Sequence, residues 1–314
     1  MAGYWQVTLR DSAELSGVGV HSGSPVRIVL HPADVDTGYS FLRTGLESGR
    51  ERLIHANHGA VSATELCTII GDPSTGSVAT IEHLLAALAG LGVDNVLVEI
   101  DGPEVPIMDG SAAPFVAAID SVGLVRQDAT KRFIKVLKPV RVENGRAFAE
   151  LRPFARGFRL EVEIDFDTPV IGRQKKVVDL EPVSFRKDVS RARTFGFMRD
   201  VERLWKAGFA LGASLENTVA LGDDGVINDE GLRYADEFVR HKTLDAVGDL
   251  ALAGAPLLAR YRSYCGGHRM NVAILKALFA DRSAYEVVEA PRREPVHAAA
   301  GSHAPAYAYA PDLT

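Results

Sequence analysis

Three residues with metal-binding side chains recur at four-residue intervals within one apolar segment. His241, Asp245 and Asp249 lie in the sequence Arg-His-Lys-Thr-Leu-Asp-Ala-Val-Gly-Asp-Leu. Because an α-helix turns about once every 3.6 residues, the three side chains would share one helix face. An imidazole and two carboxylates are costly to bury unless they are satisfied, and a divalent cation such as Zn²⁺ would satisfy them. A solvated helix face with one His–Asp pair is the alternative interpretation.

The pair Glu82-His83 is a second candidate for chemistry. It stands at the start of a predicted helix whose N-cap is expected to be Thr80 and which ends at Gly90 and Gly92. The residues that follow the pair are almost all Leu, Ala or Gly, so a buried Glu82 would need a partner or access to water. Taken alone, Glu82 could serve only the helix dipole, and His83 could be a satisfied core histidine.

A third candidate, His268, follows the glycine pair Gly266-Gly267 and opens the last predicted helix. The glycines permit a tight turn that projects the next side chain. Asp249, one helical turn beyond Asp245, could hold this histidine, fix its orientation and raise its basicity. The alternative interpretation is that His268 is an ordinary loop residue without a catalytic role.

Common competing motifs are absent from the sequence. It contains no His-Glu-x-x-His, Cys-x-x-Cys, Gly-x-Ser-x-Gly or Walker loop, and the run Gly17-x-Gly19 lacks a third glycine at the dinucleotide-binding spacing. Two cysteines, Cys67 and Cys265, are too few for a disulfide scaffold or a Cys-rich zinc site, which fits a reducing compartment.

Composition sets broad limits on the class of protein. The 314 residues, 46% of them hydrophobic, suit one large domain or two ordinary ones. A net charge of −6 argues against a general polyanion-binding surface, so no nucleic-acid partner is expected. The N-terminus lacks the apolar core of a signal peptide, and no apolar run is long enough to span a membrane. We therefore expect a soluble, cytoplasmic protein, and a monomer because no pattern suggests a large apolar interface.

The order of predicted elements suggests two similar α+β units. In each half the predicted elements follow the same order: strands, a helix with an inward histidine, a strand and a second helix. The polar segment 127–131 is taken as the boundary, giving domains 1–127 and 128–290, and the Ala/His/Pro/Tyr-rich tail 291–314 is predicted to be disordered. The first half has predicted strands at 4–10, 25–31 and 96–100, a glycine-rich turn at 16–23, and helices from 80 and over 112–122, the latter capped by Ser111. The second half has predicted strands at 133–137, 139–142, 147–151, 158–166 and 257–264, and helices over 231–252 and 271–279.

Several segments together resemble one known family, the UDP-3-O-acyl-N-acetylglucosamine deacetylases of Gram-negative lipid A synthesis. The resemblance covers roughly residues 4–289 and implies two β-α-α-β sandwich-like units packed with their helices face to face, with the active site between them. The segments are Ser-Gly-Val-Gly-Val-His-Ser-Gly at 16–23, the Thr-Ile-Glu-His helix at 80–95, Pro-Ile-Met-Asp-Gly-Ser at 106–115, Ala-Arg-Thr-Phe-Gly-Phe at 192–197, Arg-His-Lys-Thr-Leu-Asp at 240–249, and Gly267-His268.

The resemblance also implies a ligand set. Zn²⁺ would be held by His83, His241 and Asp245, with solvent in the fourth position. The helix-face argument reaches two of these ligands independently, whereas His83 is only a candidate without the family. Two imidazoles and a carboxylate admit Fe²⁺ as well.

The resemblance further implies that the protein hydrolyses an acetamide on an acylated UDP-sugar, giving acetate and a free amine. This reaction predicts roles for the surrounding groups. Glu82 adjoins a ligand and is predicted to be the general base, while His268, held cationic by Asp249, is the predicted acid, although Glu82 could return the same proton. The hydroxyl of Thr194 is suited to stabilise the oxyanion. Lys242 would point about 100° away from the ligand stripe and reach substrate phosphate or the developing charge.

The substrate's acyl chain is expected to occupy a passage built from the segment 192–221. The resemblance places Phe195, Ala210, Ala213 and Ser214 along this passage and Val20 near its mouth. The sequence departs from the family at Arg269-Met270, where relatives usually carry smaller or apolar residues, and this bears on the packing behind the preceding histidine. Contact with a membrane surface is plausible for a lipid-tailed substrate, although no basic amphipathic helix supports it.

Two other functions remain open from the sequence. One is a metal amidohydrolase that acts on a different acylated amine and needs no long apolar passage. The other is a sugar-nucleotide-binding protein in which the metal is structural, which would require four protein ligands. Three strong candidate ligands with an open position favour catalysis.

Overall fold

The computed structural model describes residues 4–46, 49–154 and 156–290, so the tail predicted at 291–314 lies outside the described residues. The predicted α+β class is confirmed, with helices and sheets both well represented. The strands are β1 (Trp5–Leu9), β2 (Ala13–Val18), β3 (Pro25–Pro32), β4 (Tyr39–Arg43), β5 (Arg52–His55), β6 (Val61–Ala63), β7 (Ile69–Asp72), β8 (Gly76–Val78), β9 (Val96–Ile100), β10 (Leu124–Thr130), β11 (Arg132–Val136), β12 (Val140–Asn144), β13 (Ala147–Pro153), β14 (Phe158–Asp165), β15 (Arg173–Asp179), β16 (Phe195–Phe197), β17 (Val219–Leu221), β18 (Leu257–Tyr264) and β19 (Tyr285–Glu289). The helices are α1 (Glu82–Leu91), α2 (Ala113–Val122), α3 (Pro182–Asp188), α4 (Met198–Lys206), α5 (Glu237–Ala251) and α6 (His268–Ala280).

The same strand arrangement occurs twice along the chain. In the first sheet, β9 lies between the hairpins β2–β3 and β4–β5, antiparallel to β3 and parallel to β4. In the second, β18 lies between the hairpins β12–β13 and β14–β15, antiparallel to β13 and parallel to β14, and β11 and β19 extend the sheet. In each case the strand between the hairpins follows a helix, α1 or α5, and precedes another, α2 or α6. This repeat agrees with the predicted order of elements, and the division into two domains stays a prediction.

The segment chosen as the domain boundary is regular structure rather than a loop. Residues 124–130 form β10, which pairs antiparallel with β1. Polar residues occupy this strand because they have partners: the side chain of Gln127 accepts a hydrogen bond from Asn95 and donates one to the carbonyl of Ala33. Lys131, directly after it, is buried and pairs with Asp94 at 2.9 Å.

Helices α1 and α5 pack directly against each other, and this contact positions the candidate site. Nine of the ten residues of α1 are buried, as expected from its Leu/Ala composition. At the crossing, a Cβ atom added to Gly248 of α5 would lie 1.9 Å from the carbonyl oxygen of Glu82 on α1. Only glycine therefore allows the two helices to approach this closely.

The starts of several helices differ from the predictions. Thr80 does not cap α1, because it adopts a φ of 56° and its hydroxyl donates to the buried carboxylate of Glu104. Ser111 lies one residue before the N-cap of α2, although its hydroxyl accepts from the amide of Ala113 at 3.2 Å. Helix α5 begins at Glu237 rather than near 231, since the preceding residues wrap around the buried side chain of Arg193.

Three further differences concern other segments. The predicted glycine-rich turn at 16–23 is shorter, because residues 16–18 belong to β2. The mixed segment after residue 190 contains a helix, α4, none of whose residues is buried. Helix α6 begins at His268, as the glycine pair before it indicated, although the predicted range began only at 271. Among the described residues, none of the helices combines the length and apolar character needed to cross a membrane.

Candidate metal centre

The three predicted metal ligands lie together at the contact between α1 and α5. Helix α1 contributes His83, and α5 contributes His241 and Asp245. The Oδ1 atom of Asp245 is 3.3 Å from Nε2 of His241 and 3.6 Å from Nε2 of His83. The two rings are edge to face with centroids 5.0 Å apart, and all three side chains are buried.

The chemical state of this cluster fits a divalent cation. Burial lowers the pKa of His241 to about 3, so the ring is neutral, and its Nδ1–H must donate to the carbonyl of Ala192 at 3.1 Å. Its Nε2 lone pair therefore faces the cluster. Burial opposes the charge of Asp245, but the neighbouring Lys242 ammonium, whose Nζ donates to Oδ2 at 2.8 Å, favours it, and the pKa of the carboxyl lies well below its usual range. Its Oδ1 is buried with no hydrogen-bond partner in the described part of the chain, as a carboxylate placed to ligate a metal would be.

A second cluster of ionisable groups, Glu82, Asp249 and His268, adjoins the first. Nδ1 of His268 is 2.9 Å from Oδ2 of Asp249, and its Nε2 is 3.8 Å from Oε1 of Glu82. Asp249 also accepts hydrogen bonds from the hydroxyl of Thr68 at 2.6 Å and the amide of Asn271 at 2.8 Å.

Within each cluster the candidate ligand atoms lie within 4.8 Å of one another. The two clusters differ in how fully their carboxylate oxygens are hydrogen-bonded. Hydrogen bonds occupy both oxygens of Asp249, whereas Oδ1 of Asp245 accepts none from the described residues. The cluster of His83, His241 and Asp245 is therefore the better candidate for a cation. The second cluster is suited to proton transfer.

Electrostatics in the second cluster separate its acid from its base. Burial opposes the charged form of His268, but Asp249 and Glu82 outweigh it and raise the pKa of the imidazole to about 10. Burial also raises the pKa of Glu82, although His268 and His83 oppose this shift. The result is a cationic imidazole beside a carboxylate of increased basicity, which is the pairing that acid–base catalysis requires.

Comparison with known proteins identifies the family. The model of a family described as UDP-3-O-acyl N-acetylglycosamine deacetylase matches residues 6–280. The proteins named UDP-3-O-acyl-N-acetylglucosamine deacetylase from Brucella ovis, Brucella abortus and Brucella melitensis are each 54% identical to the chain over 287 residues, or 91% of this chain and 99% of theirs. The chain belongs to this deacetylase family. The resemblance found from six sequence segments is thus confirmed, and the family is one of metalloenzymes.

Lys242 is oriented differently from the prediction. It was expected to point away from the ligand stripe, but its Nζ folds back and donates to Oδ2 of Asp245 at 2.8 Å. The flexible four-carbon stem of lysine allows this, since the ammonium gains a buried anionic partner. Nζ also lies 5.5 Å from the ring centroid of Phe195. The prediction of its direction was therefore wrong, and a role for Lys242 in substrate binding or catalysis stays a prediction.

A cleft of about 620 Å³ opens beside this lysine. Its wall includes the aromatic ring of Phe166, the carboxylate of Asp165 and the guanidinium of Arg199. The lining contains three basic and three acidic residues besides its aromatic rings, so the cleft can accommodate a polar ligand.

Thr194 is fixed close to the first cluster through its backbone. Its N–H donates to the carbonyl of Gly110, and its own carbonyl accepts from Val219, both at 2.8 Å. It follows Ala192 by two residues, and Ala192 is the residue that orients His241.

The residues predicted for an acyl passage lie in two different parts of the structure. Val20 lies in a loop that contacts the loop after α4, where its carbonyl accepts from Gly212 at 3.0 Å, between Ala210 and Ser214. Ala213 lies in the same loop and donates its amide to the carbonyl of Ala210. Phe195 stands apart from this contact, with its ring 6.2 Å from that of His241.

Three side chains near the site were not assigned roles from the sequence. Burial lowers the pKa of His21, Glu104 opposes this shift, and His268 and His83 lie close enough to lower the pKa further. Thr68 and Asn271 hold Asp249. Asn271 could have been found, because it is a polar residue one turn after His268 on an otherwise apolar helix face. Thr68 lies in an aperiodic segment that carries no such signal.

Proposed function

We propose that the chain hydrolyses the N-acetyl group of UDP-3-O-acyl-N-acetylglucosamine, an early committed step of lipid A biosynthesis that yields acetate and a free amine. The observation that supports this most strongly is the pair of adjoining clusters, one with a buried carboxylate oxygen aimed at two imidazoles and one with a cationic imidazole beside a basic carboxylate. Amide hydrolysis needs both kinds of site, since water is a poor nucleophile and the amine leaves only when protonated.

The metal of this proposal is Zn²⁺ held by His83, His241 and Asp245, with Fe²⁺ as the alternative occupant. When bound, it would polarise the acetamide carbonyl and lower the pKa of water towards about 7. The orientation of His241 by Ala192, and the neutral state of its ring, supply the lone pair that a ligand needs.

Glu82 and His268 are the groups that we propose transfer protons. Glu82 accepts a proton from the attacking water as the water oxygen forms its bond to the carbonyl carbon. His268 then donates a proton to the amine nitrogen as the C–N bond breaks. Their 3.8 Å separation would allow both to act on one reacting group, and the neighbouring Asp249 favours the cationic imidazole.

Other groups would stabilise the substrate and the developing charge. The Thr194 hydroxyl is our candidate donor to the oxyanion, with the Lys242 ammonium available to the same charge or to a substrate phosphate. The cleft beside Lys242 would take the sugar nucleotide. The acyl passage is proposed to involve the side chains of Val20, Phe195, Ala210, Ala213 and Ser214. We further propose a cytoplasmic monomer that meets a membrane surface only transiently.

The decisive experiment measures acetate release from the acylated UDP-sugar together with bound metal. Glu82→Ala and His268→Ala should each lower kcat about 10²–10⁴-fold while metal content stays at the wild-type level. His241→Ala should lower metal content, whereas His31→Ala, a half-exposed histidine on β3, should change neither quantity. Full metal occupancy and activity in His241→Ala would refute the ligand assignment. Equal turnover of a substrate without the acyl chain would refute the proposed substrate.

A further inference from the structure

One fully buried residue next to the proton-transfer groups has no role in the mechanism above. Thr68 lies between β6 and β7 with none of its surface exposed, and its amide and its hydroxyl both reach carboxylates of the candidate site. Its amide donates to Oε2 of Glu82 at 3.1 Å, and its hydroxyl donates to Oδ1 of Asp249 at 2.6 Å. Its carbonyl accepts from the amide of Ile81, the residue before α1.

We propose that Thr68 is a positioning residue that fixes the two carboxylates on either side of His268. This inference rests on the proposed function of the site. Thr68 joins the first turn of α1 to the last turn of α5, which are the two ends that carry Glu82 and Asp249. A carboxylate that accepts a hydrogen bond from a fixed donor loses rotational freedom, so each acid is held in one orientation.

The amide of Thr68 also decides which oxygen of Glu82 transfers the proton. Oε2 is engaged by the amide at 3.1 Å, while Oε1 faces Nε2 of His268 at 3.8 Å. Hydrogen bonding to the charged form makes an oxygen less basic, which leaves Oε1 as the oxygen that accepts the proton.

The Thr68 hydroxyl likewise determines which oxygen of Asp249 contacts His268. By occupying Oδ1, it leaves Oδ2 to accept from Nδ1 of His268 and from Asn271. Without the hydroxyl, Oδ1 would be buried with a negative charge and no donor. The carboxylate could then rotate so that both of its oxygens share the remaining donors, His268 and Asn271. The His268 ring, held by that carboxylate, would move with it.

Two substitutions distinguish the effect of the hydroxyl from the effect of side-chain packing. Thr68→Val keeps the volume and the backbone amide but removes the hydroxyl, and Thr68→Ser keeps the hydroxyl. Thr68→Val should lower kcat about 10- to 100-fold, the equivalent of one hydrogen bond to a charged group, with KM changed less than about threefold because Thr68 touches no substrate. Thr68→Ser should stay within about threefold of wild type in both constants.

A matched control comes from another buried threonine. The hydroxyl of Thr8 on β1 donates to the carbonyl of Asn95 at 2.8 Å and accepts from the amide of Ala33 at 3.1 Å, so Thr8→Val removes a buried hydroxyl together with its two hydrogen bonds. It should leave kcat unchanged if the effect at Thr68 is specific to the site. Wild-type kcat in Thr68→Val would overturn the proposal, as would equal losses of kcat in Thr68→Val and Thr68→Ser, or in Thr68→Val and Thr8→Val.

A spectroscopic measurement tests the proposal without relying on turnover. In the full-length protein labelled with ¹⁵N-histidine, the Nδ1 proton of His268 should move in Thr68→Val and keep its wild-type position in Thr68→Ser and Thr8→Val. An unmoved resonance in Thr68→Val would refute the positioning role. If wild-type protein released no acetate from the acylated UDP-sugar, the proposed function would fail, whereas the histidine resonances would still decide the role of Thr68.

Discussion

The contact between α1 and α5 makes Gly248 sensitive to substitution. In Gly248→Ala the added methyl carbon would lie 1.9 Å from the carbonyl oxygen of Glu82, 2.7 Å from its carbonyl carbon and 2.9 Å from its Cα. All three atoms belong to the backbone, so no side chain can rotate to make room. Helix α1 must move by about 1.5 Å to restore an ordinary van der Waals contact.

The size of the effect follows from this displacement. Overpacking a buried contact costs about 1–3 kcal/mol, and the better helix propensity of alanine returns at most about 1 kcal/mol. Because the clash at 1.9 Å is with backbone atoms, the cost should lie at the upper end of its range, and we expect a net loss of about 2 kcal/mol in the free energy of unfolding. Because the displaced residue is Glu82, the proposed base, kcat should fall about 10²-fold, which is the typical result of a misplacement near 1 Å.

Urea denaturation and acetate release measure these two effects separately. Gly225→Ala is a suitable control, since a Cβ there meets no atom within 4 Å. It should change neither the unfolding midpoint nor kcat appreciably. If Gly248→Ala were as stable and as active as wild type, the close approach of α1 and α5 at the candidate site would be incorrect.

Two further predictions concern buried charges. Arg193 pairs with the buried Glu237 and with Glu230, whose side chain is 58% exposed. Glu237→Gln should therefore cost about 3–5 kcal/mol of unfolding free energy in urea titrations, and Glu230→Gln less than about 1 kcal/mol; similar losses would contradict this. The second concerns His268, whose pKa of about 10 lies above its usual value of about 6.5. Its charge should stabilise the fold fully below about pH 6.5, and that contribution should vanish as pH rises to about 10. The stability gap between wild type and His268→Gln in the presence of a chelator should narrow over this range, and a constant gap would argue against the raised pKa.

Periodicity in the sequence was sufficient to predict much of α5 and its site face. His241, Asp245 and Asp249 fall at intervals close to one helical turn, so any helix here places them on one side. The prediction did not depend on neighbouring elements. The partner helix could not be found in this way, because His83 is a single polar residue whose relation to His241 depends on tertiary packing. Only the family resemblance indicated it.

Predictions failed where a local preference competed with a tertiary contact. Thr80 has the side chain of a good N-cap, but the buried carboxylate of Glu104 takes its hydroxyl and holds its backbone in the left-handed region. Lys242 should leave the ligand face by helical geometry, yet its long side chain returns to Asp245. No sequence pattern indicated a role for Thr68, because its contacts join segments that are distant in the sequence.

The candidate ligands come from helices about 160 residues apart in the chain, His83 on α1 and His241 with Asp245 on α5. A cation coordinated by both helices would act as a cross-link between them. Cross-links that close long loops remove the most conformational entropy from the unfolded chain. The free concentration of the ion would therefore set the melting temperature as well as the turnover. Under metal limitation this protein would lose its resistance to unfolding and its chemistry together, and proteolysis of the unfolded chain would make the loss permanent.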